Sequence, residues 1–301
     1  MYDVVIIGCG CAGISAAIYA KRSNMNVLII ESDAPGGQIN KSSIIENYPG
    51  FESVDGPSLA YNMFNQLQKM NVEYKYGEVI DIQVENDKKI VVTNKEKFET
   101  KTIIIASGRI PRKLNIENED KLSGKGISWC AICDANLYKN KDVVVIGGGN
   151  SAAEESLYLS KIASSITMIN RRDELRADNS LKDELNKINN IKILYNYKPI
   201  KFIAKDNKLD GIEIQNTTTN QIETLKCDGA FIFIGYEPET SFCKNLNIID
   251  ENNYIIVNEK METKIAGIYA CGDVIKKDLY QIVTSVSEGA IAATNAKKHV
   301  D

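Results

Sequence analysis

The sequence predicts an α/β chain of two three-layer domains, the second inserted into the first, and three observations predict it. The first is a repeat. Residues 2–31 read as an apolar strand, the loop Gly8-Cys9-Gly10-Cys11-Ala12-Gly13, a helix and a second strand; residues 141–170 give the same order around Gly147-Gly148-Gly149-Asn150-Ser151-Ala152. The second is an echo at the end of each copy, where an apolar strand runs into Gly108-Arg109-Ile110-Pro111 and again into Gly235-Tyr236-Glu237-Pro238. The third is a polar, alternating stretch before each echo. Residues 78–99 and 201–224 read as small antiparallel meanders, with turns at Asn86-Asp87 and Asp206-Asn207.

In each loop the first glycine (Gly8, Gly147) permits the tight turn and the second (Gly10, Gly149) lets the backbone approach a pyrophosphate. A small residue (Gly13, Ala152) then lets helix and strand pack closely. The helix that follows presents unpaired N–H groups and the positive end of its dipole. The layout is therefore two Rossmann-like, three-layer (ββα) nucleotide-binding domains. The strand after each helix separates their ligands. The first ends in Glu31, whose carboxylate can accept from both hydroxyls of an adenosine ribose. The second ends in Asn170, then Arg171, Arg172 and, a helical turn on, Arg176, guanidinium groups that would bind a ribose 2'-phosphate and favour NADPH over NADH. The plainer reading of that run is a solvated basic segment among Asp173 and Glu174.

The segment after the second echo closes the first domain. Residues 267–271 read as a short strand ending at Gly272-Asp273, and residues 281–297 as a helix with Ser285, Gly289, Ala290, Ala292 and Ala293 on its packing side. Asp273 reads equally as a ligand for a flavin ribityl hydroxyl or as a turn aspartate. The expected domains are residues 1–112 with 242–301, and residues 113–241, the second holding NADPH.

Within the inserted domain Cys130-Ala131-Ile132-Cys133-Asp134 stands apart. Two cysteines separated by two residues at a helix start can cycle between dithiol and disulfide, and the helix N-terminus favours the thiolate. Asp134 sits where a carboxyl can exchange the proton this chemistry needs; its plainer reading is a helix-start aspartate. Structural zinc needs two further ligands, and there is neither a second such pair nor any histidine but His299, so no metal is expected. Cys9, Cys11, Cys227, Cys243 and Cys271 read as small packed residues, and Trp129 as a packing residue.

Composition narrows the classes. The chain has 301 residues, 44% hydrophobic and 25% charged, with a formal charge of -4 that gives no electrostatic reason to expect nucleic acid. Its apolar runs are strand-length, well below the ~20 residues of a membrane helix. Residues 3–7 read as a strand that leaves no room for a signal peptide, so a cytoplasmic location is expected.

These motifs together resemble the bacterial low-molecular-weight thioredoxin reductases over essentially the whole chain. The matching residues also include Gly36-Gly37-Gln38, Glu46-Asn47-Tyr48-Pro49-Gly50, and Gly272-Asp273-Val274 leading to Gln281. The resemblance implies FAD in the first domain, touching Ala12, Gly37, Gln38, Asn47, Ala106, Gly108, Gly272, Asp273, Gln281 and Ile282 besides the glycines. It implies NADPH in the second, touching Gly147, Gly149, Asn150, Ser151 and Ala152, a homodimer, and thioredoxin or a thioredoxin-like protein as partner. Electrons are expected to pass from NADPH through FAD to the Cys130–Cys133 pair and then to the partner's disulfide. Rotation about the two crossovers is expected to serve the two encounters. Three positions depart from the family pattern: Asn170 where a histidine is usual, Tyr280 where an arginine precedes the glutamine, and Ile132 where threonine is usual. The competing readings are a ferredoxin-dependent flavin thioredoxin reductase and a flavoprotein redox sensor without turnover.

Overall fold

Alternation along the first strand sets the layers. In the computed structural model, which describes residues 1–42, 44–85 and 88–301, β1 (Tyr2–Ile7) sends Val4 and Ile6 to one face and Val5 and Ile7 to the other, each into a different core. Successive residues of a strand point to opposite faces, so a fully apolar strand must be covered on both sides. The chain divides into two compact units, Met1–Ile110 with Glu237–Asp301, and Pro111–Tyr236. These divisions fall slightly before the expected 112/113 and 241/242. Glu239 explains the second shift: its N–H donates to the Gly108 carbonyl at 3.1 Å, and its carbonyl accepts from the Ser107 hydroxyl at 2.7 Å.

In the first unit β1 leads into α1 (Cys11–Arg22), β2 (Val27–Glu31), α2 (Gly56–Lys69) and β3 (Glu73–Tyr76), with parallel pairing in the order β3-β2-β1. The meander follows as β4 (Val79–Glu85), β5 (Lys88–Thr93) and β6 (Lys97–Ile105). Its first turn, at Asn86-Asp87, lies outside the described residues. The start of β6 pairs antiparallel with β5, and its end runs parallel to β1, so one strand belongs to both layers. A short β7 (Arg109–Pro111) leaves the unit.

The second unit repeats the plan. After α3 (Glu119–Leu122), β8 (Ile127–Ser128) and α4 (Ala131–Asp134) come β9 (Asp142–Ile146), α5 (Asn150–Leu159), β10 (Ser165–Asn170), α6 (Asn179–Leu185) and β11 (Ile191–Tyr195). The meander β12 (Tyr197–Lys205), β13 (Lys208–Asn216) and β14 (Ile222–Lys226) precedes β15 (Gly229–Ile232), and β16 (Tyr236–Pro238) returns to the first unit. The parallel sheet runs β11-β10-β9-β15-β8. Val143 and Val145 of β9 face the helical core, while Val144 and Ile146 face Phe202, Ile212 and Ile214 of the meander. Asp206 and Asn207, both at positive φ, form the expected turn between β12 and β13. The repeat seen in the sequence is thus a repeat of three layers, helices, parallel sheet and antiparallel meander.

The last stretch completes the first unit. β17 (Ile268–Ala270) pairs parallel with β6, and α7 (Ile282–Val300) packs along α1. The approach is close because α7 carries Gly289 there; a Cβ at that position would lie 2.2 Å from the Ala12 carbonyl oxygen. Ser285, Ala292 and Ala293 are buried as expected, whereas Ala290 is half-buried, and Asn295 and Ala296 extend the packed face. Among the described residues no helix is long and apolar enough to cross a membrane.

Candidate active site: two glycine loops and a dithiol

Each glycine loop sits between the end of a central strand and the start of a helix, and what surrounds its glycines tells the three roles apart. Gly8 has φ +101°, and a Cβ there would lie 2.4 Å from the Ala106 carbonyl oxygen, so this position is closed to any other residue. A Cβ at Gly13 would sit 1.9 Å from the Gly8 carbonyl, which closes helix against loop. Around Gly10, by contrast, a Cβ would meet nothing within 4 Å. In the second unit Gly147 has φ +148° and touches the Phe233 carbonyl and the Ala152 side chain, while Gly149 again faces open space. The pattern of closed, open, closed fits a diphosphate lying against the second glycine.

The helix ends support this fit. Gly10 and Gly149 are the N-caps of α1 and α5, neither helix has a side-chain cap, and neither has an acidic residue in its first turn. Side chains cap α2 and α7, where Asp55 accepts from the Ser58 N–H and Gln281 and Thr284 form a reciprocal capping box, whereas α3 and α6 are uncapped like α1 and α5. The donors left open at α1 and α5 suit an anionic ligand. Beside them, the Asn150 side chain exchanges hydrogen bonds with Asp178, donating to its carboxylate at 2.8 Å and accepting from its N–H at 2.9 Å. Ser151 is exposed on the first turn of α5, and Ala152 is buried beneath it.

Glu31 ends β2 with its carboxylate fixed by three backbone donors, the N–H groups of Cys9 at 2.7 Å, Ser32 at 2.8 Å and Asp33 at 3.0 Å. The matching position in the second unit, Asn170, is buried and donates to the carbonyls of Arg172 and Glu174. The basic run that follows is a loop and not a helical turn. Arg176 returns to the glycine loop because its N–H donates to the Gly148 carbonyl at 2.6 Å, and Arg171, Arg172 and Arg176 are all exposed. Gly148 could not carry a side chain without displacing the Asn170 amide, since a Cβ there would lie 2.3 Å from its oxygen.

Other expected residues of the first unit meet in pairs. Asn47 donates to the Gln281 side chain at 3.0 Å, and Gln38 donates to the Arg109 carbonyl at 3.0 Å. Gly37 has φ +55°, and its Cβ position faces Gly10 at 3.4 Å. Gly108 (φ +69°) faces open space, Ala106 is buried against Gly8, and Ile282 packs on the cluster of Ile39, Ile45, Leu59 and Ala60. Gly272 has φ +80°, its Cβ position is blocked by Ala12, and its N–H donates to Glu288 at 2.8 Å. Asp273 is neither a cap nor a simple turn residue. Its carboxylate pairs with Arg109 at 3.0 Å and Lys277 at 3.4 Å and accepts from the Ser285 hydroxyl at 3.1 Å. Arg109, Lys277 and Glu288 were not anticipated here, and Ser285 only as a packing residue; the signal available was a charged residue, Arg109, set between a buried strand and its crossover.

In the second unit Cys130 and Cys133 form a disulfide. Cys130 is the N-cap of α4, and the Cys133 N–H donates to its sulfur at 3.2 Å. Cys133 is exposed, and Cys130 and Asp134 are half-buried. The short helix is seated by Ala131, which packs with Ala152 and Ala153 of α5, and by Ser128, whose hydroxyl accepts from the Cys130 N–H. Trp129 packs against the meander core. The other five cysteines are free thiols, and burial pushes those of Cys11, Cys227 and Cys243 up to about 12, with Cys9 and Cys271 also raised. Only the paired sulfurs are suited to exchange. On α5, burial and then the neighbouring Glu154 push the Glu155 carboxyl up to about 7, and its Oε2 is buried without a hydrogen-bond partner.

The family described as pyridine nucleotide-disulphide oxidoreductase matches residues 2–289. Thioredoxin reductase of Bacillus subtilis (strain 168) is 40% identical over 302 residues, covering all of this chain and 95% of the relative. That of Ureaplasma parvum is 42% identical over 301 residues, covering all of this chain and 97% of its own length. The crystal structure of Lactococcus lactis thioredoxin reductase in its FR conformation superposes with a TM-score of 0.91 at 42% identity, covering 100% of this chain and 99% of that one. The family implies a flavin and a nicotinamide nucleotide as cofactors. A disulfide beside one of two open glycine loops is the arrangement such chemistry requires, and the chain belongs to the pyridine nucleotide-disulphide oxidoreductases, and within them to the thioredoxin reductases.

Proposed function

We propose that this chain carries electrons from NADPH through FAD and the Cys130–Cys133 pair to the disulfide of thioredoxin or a thioredoxin-like protein. The observation that carries the reading is the exchangeable disulfide at the start of α4, in the same unit as an uncapped glycine loop and an exposed arginine cluster. Bound flavin would supply hydride acceptance from the nicotinamide and two-electron delivery to the disulfide.

The chain's own residues do the rest. In the first unit Gly8, Gly10, Ala12 and Gly13 with the start of α1 would hold the FAD diphosphate, and Glu31 its adenosine ribose. Gly37, Gln38, Asn47, Ala106, Gly108, Gly272, Asp273, Gln281 and Ile282 would line the remainder. In the second unit Gly147, Gly149, Asn150, Ser151 and Ala152 would hold the NADPH diphosphate, and Arg171, Arg172 and Arg176 its 2'-phosphate. In the exchange step one sulfur of the reduced pair attacks the partner's disulfide, and the displaced partner thiolate takes a proton. The second sulfur then closes the Cys130–Cys133 bond and releases the partner as a dithiol. Asp134, one residue from Cys133, is the carboxyl assigned to that proton. We further read the chain as a cytoplasmic homodimer that uses neither membrane nor nucleic acid.

The decisive experiment is NADPH-dependent reduction of thioredoxin by the purified flavoprotein, run beside NADH. Cys130→Ser and Cys133→Ser should each bind FAD normally and bleach with NADPH, yet lose thioredoxin reduction by at least ~1,000-fold, as expected when an attacking sulfur is removed. A serine variant that still turns over thioredoxin would reject the dithiol route. Anaerobic mixing in which NADPH leaves the flavin oxidised would instead point to ferredoxin as donor.

A further inference from the structure

Arg109 is the one charged residue in the first echo, and it meets residues from two other segments of the first unit, Gln38 and the stretch from Asp273 to Tyr280. Its backbone carbonyl accepts from Gln38 Nε2 at 3.0 Å. Its guanidinium pairs with Asp273 Oδ2 at 3.0 Å, and the same group lies over the Tyr280 ring, 4.0 Å from the centroid. Such a cation sits on the electron-rich ring face, and the edge of its planar fork can pair with a carboxylate at the same time. Burial, and after it the neighbouring Tyr254 hydroxyl, push the Tyr280 phenol up to about 12, so the ring stays neutral. Tyr254 packs tilted against Tyr280 at a 5.9 Å centroid distance, and Lys277 approaches the Tyr280 ring at 5.6 Å.

The charges close into one set. Asp273 pairs with Arg109 and Lys277, and Lys277 pairs with Glu288 at 2.9 Å, with its side chain only 10% exposed. Glu288 in turn accepts from the Gly272 N–H. Two cations and two anions thus fix the Gly272-Asp273 turn, and Arg109 is the member contributed from outside the C-terminal segment. Tyr280, seven residues beyond Asp273, is the ring on which that guanidinium rests.

The geometry points to Arg109 as a positioning residue of the flavin site in this chain: clamped by Tyr280, it orients the Asp273 carboxylate at the Gly272-Asp273 turn. This rests on the reading of the first unit as the FAD unit. Removing Arg109 leaves Asp273 with one cation fewer and the set with a net negative charge. Reduction adds electron density to the flavin, so it should become harder as well as binding weaker.

The test uses full-length protein stripped of flavin and titrated with FAD by fluorescence quenching, followed by a spectroscopic measurement of the flavin midpoint potential in the reloaded protein. Arg109→Ala should weaken FAD binding by about ten-fold, the scale of one charge-assisted contact, and make the potential more negative. Arg109→Lys should recover the potential but only part of the affinity, since an ammonium cannot both stack and fork. The double variant Arg109→Ala with Tyr280→Arg should return both quantities toward wild type. A purely structural role would move neither the potential nor the rescue. Arg109→Ala matching wild type in both measurements overturns the inference, as does a double variant no better than the single. Should Arg109→Ala fail to fold, the lysine variant decides alone: full affinity there overturns the clamp. Wild-type protein that takes up no FAD would defeat the reading of the first unit instead.

Discussion

Arg171 and Arg172 leave β10 exposed, on a loop pinned by the buried Asn170 amide. A charge-assisted, forked contact to a 2'-phosphate would be present in both ground and transition states, so its loss should appear in KM and not in kcat. Arg171→Ala and Arg172→Ala are each expected to raise KM for NADPH by roughly ten-fold, with kcat and the NADH parameters nearly unchanged. Steady-state kinetics with both nucleotides checks this, and an equal effect on NADH would assign the arginines to the solvated surface. The sequence made the cations legible because residue type and strand-end position suffice. It did not make Asn170 legible. An amide's role depends on which carbonyls a loop brings to it, and here the partners lie two and four residues on, in a bend with no periodic signature. Arg109 was opaque for a related reason: its carboxylate partner is 164 residues away in the chain, its ring partner further still, and both lie just beyond β17, which pairs with β6.

At the level of elements, the glycines of the two loops divide by their surroundings into those that build and those that bind. Gly13→Ala puts a Cβ within 1.9 Å of a backbone oxygen, and neither α1 nor the loop can yield without disturbing a fully buried core. It should lower thermal stability severely, by several kcal/mol on the scale of core overpacking. Gly149→Ala meets nothing, so its melting temperature should match wild type while nucleotide affinity falls. Paired melting curves and NADPH titrations separate the two, and a stable, flavin-replete Gly13→Ala protein would contradict the packing argument. The strand–loop–helix order was readable because these constraints act within a dozen residues. Which glycine faces open space was expected from the loop's form and is visible only with its surroundings in place. On α5 the carboxyl of Glu155, raised to about 7, has a consequence for pH. The folded chain binds this proton more tightly than the unfolded one, so stability falls as pH rises from about 4.5 to 7 and the cost is fully present above 7. Glu155→Gln should therefore be more stable than wild type at pH 8, by up to about 3 kcal/mol, and show little difference at pH 4. Denaturant unfolding at the two values tests the sign.

For the whole molecule, the two units differ in how the chain makes them. The first is assembled from both ends of the sequence, Met1–Ile110 and Glu237–Asp301, and is closed by α7 against α1, with the Ser15 hydroxyl donating to the Val286 carbonyl at 2.7 Å. Its folding must bring together segments far apart in sequence, which costs chain entropy before contacts form. The second unit is one uninterrupted run, Pro111–Tyr236, with its own cores on both faces of its sheet. It is of ordinary domain size, and its dithiol and arginine cluster are all internal to it. Excised as residues 111–236, it should fold cooperatively and bind NADPH while reducing no thioredoxin, because the proposed flavin site is absent. The chain's single tryptophan, Trp129, lies in this unit beside Cys130 and packs on its meander core, so fluorescence reports its unfolding alone, in the fragment and in the full chain alike. Added NADPH should raise the fragment's transition by the mass-action relation for a ligand that binds only the folded form, at 100 times Kd roughly 2.7 kcal/mol, and NADH at the same concentration by less. A fragment with no cooperative fluorescence transition would show that the inserted unit depends on the first for its stability, and one stabilised equally by both nucleotides would remove the 2'-phosphate from the reading of its arginines.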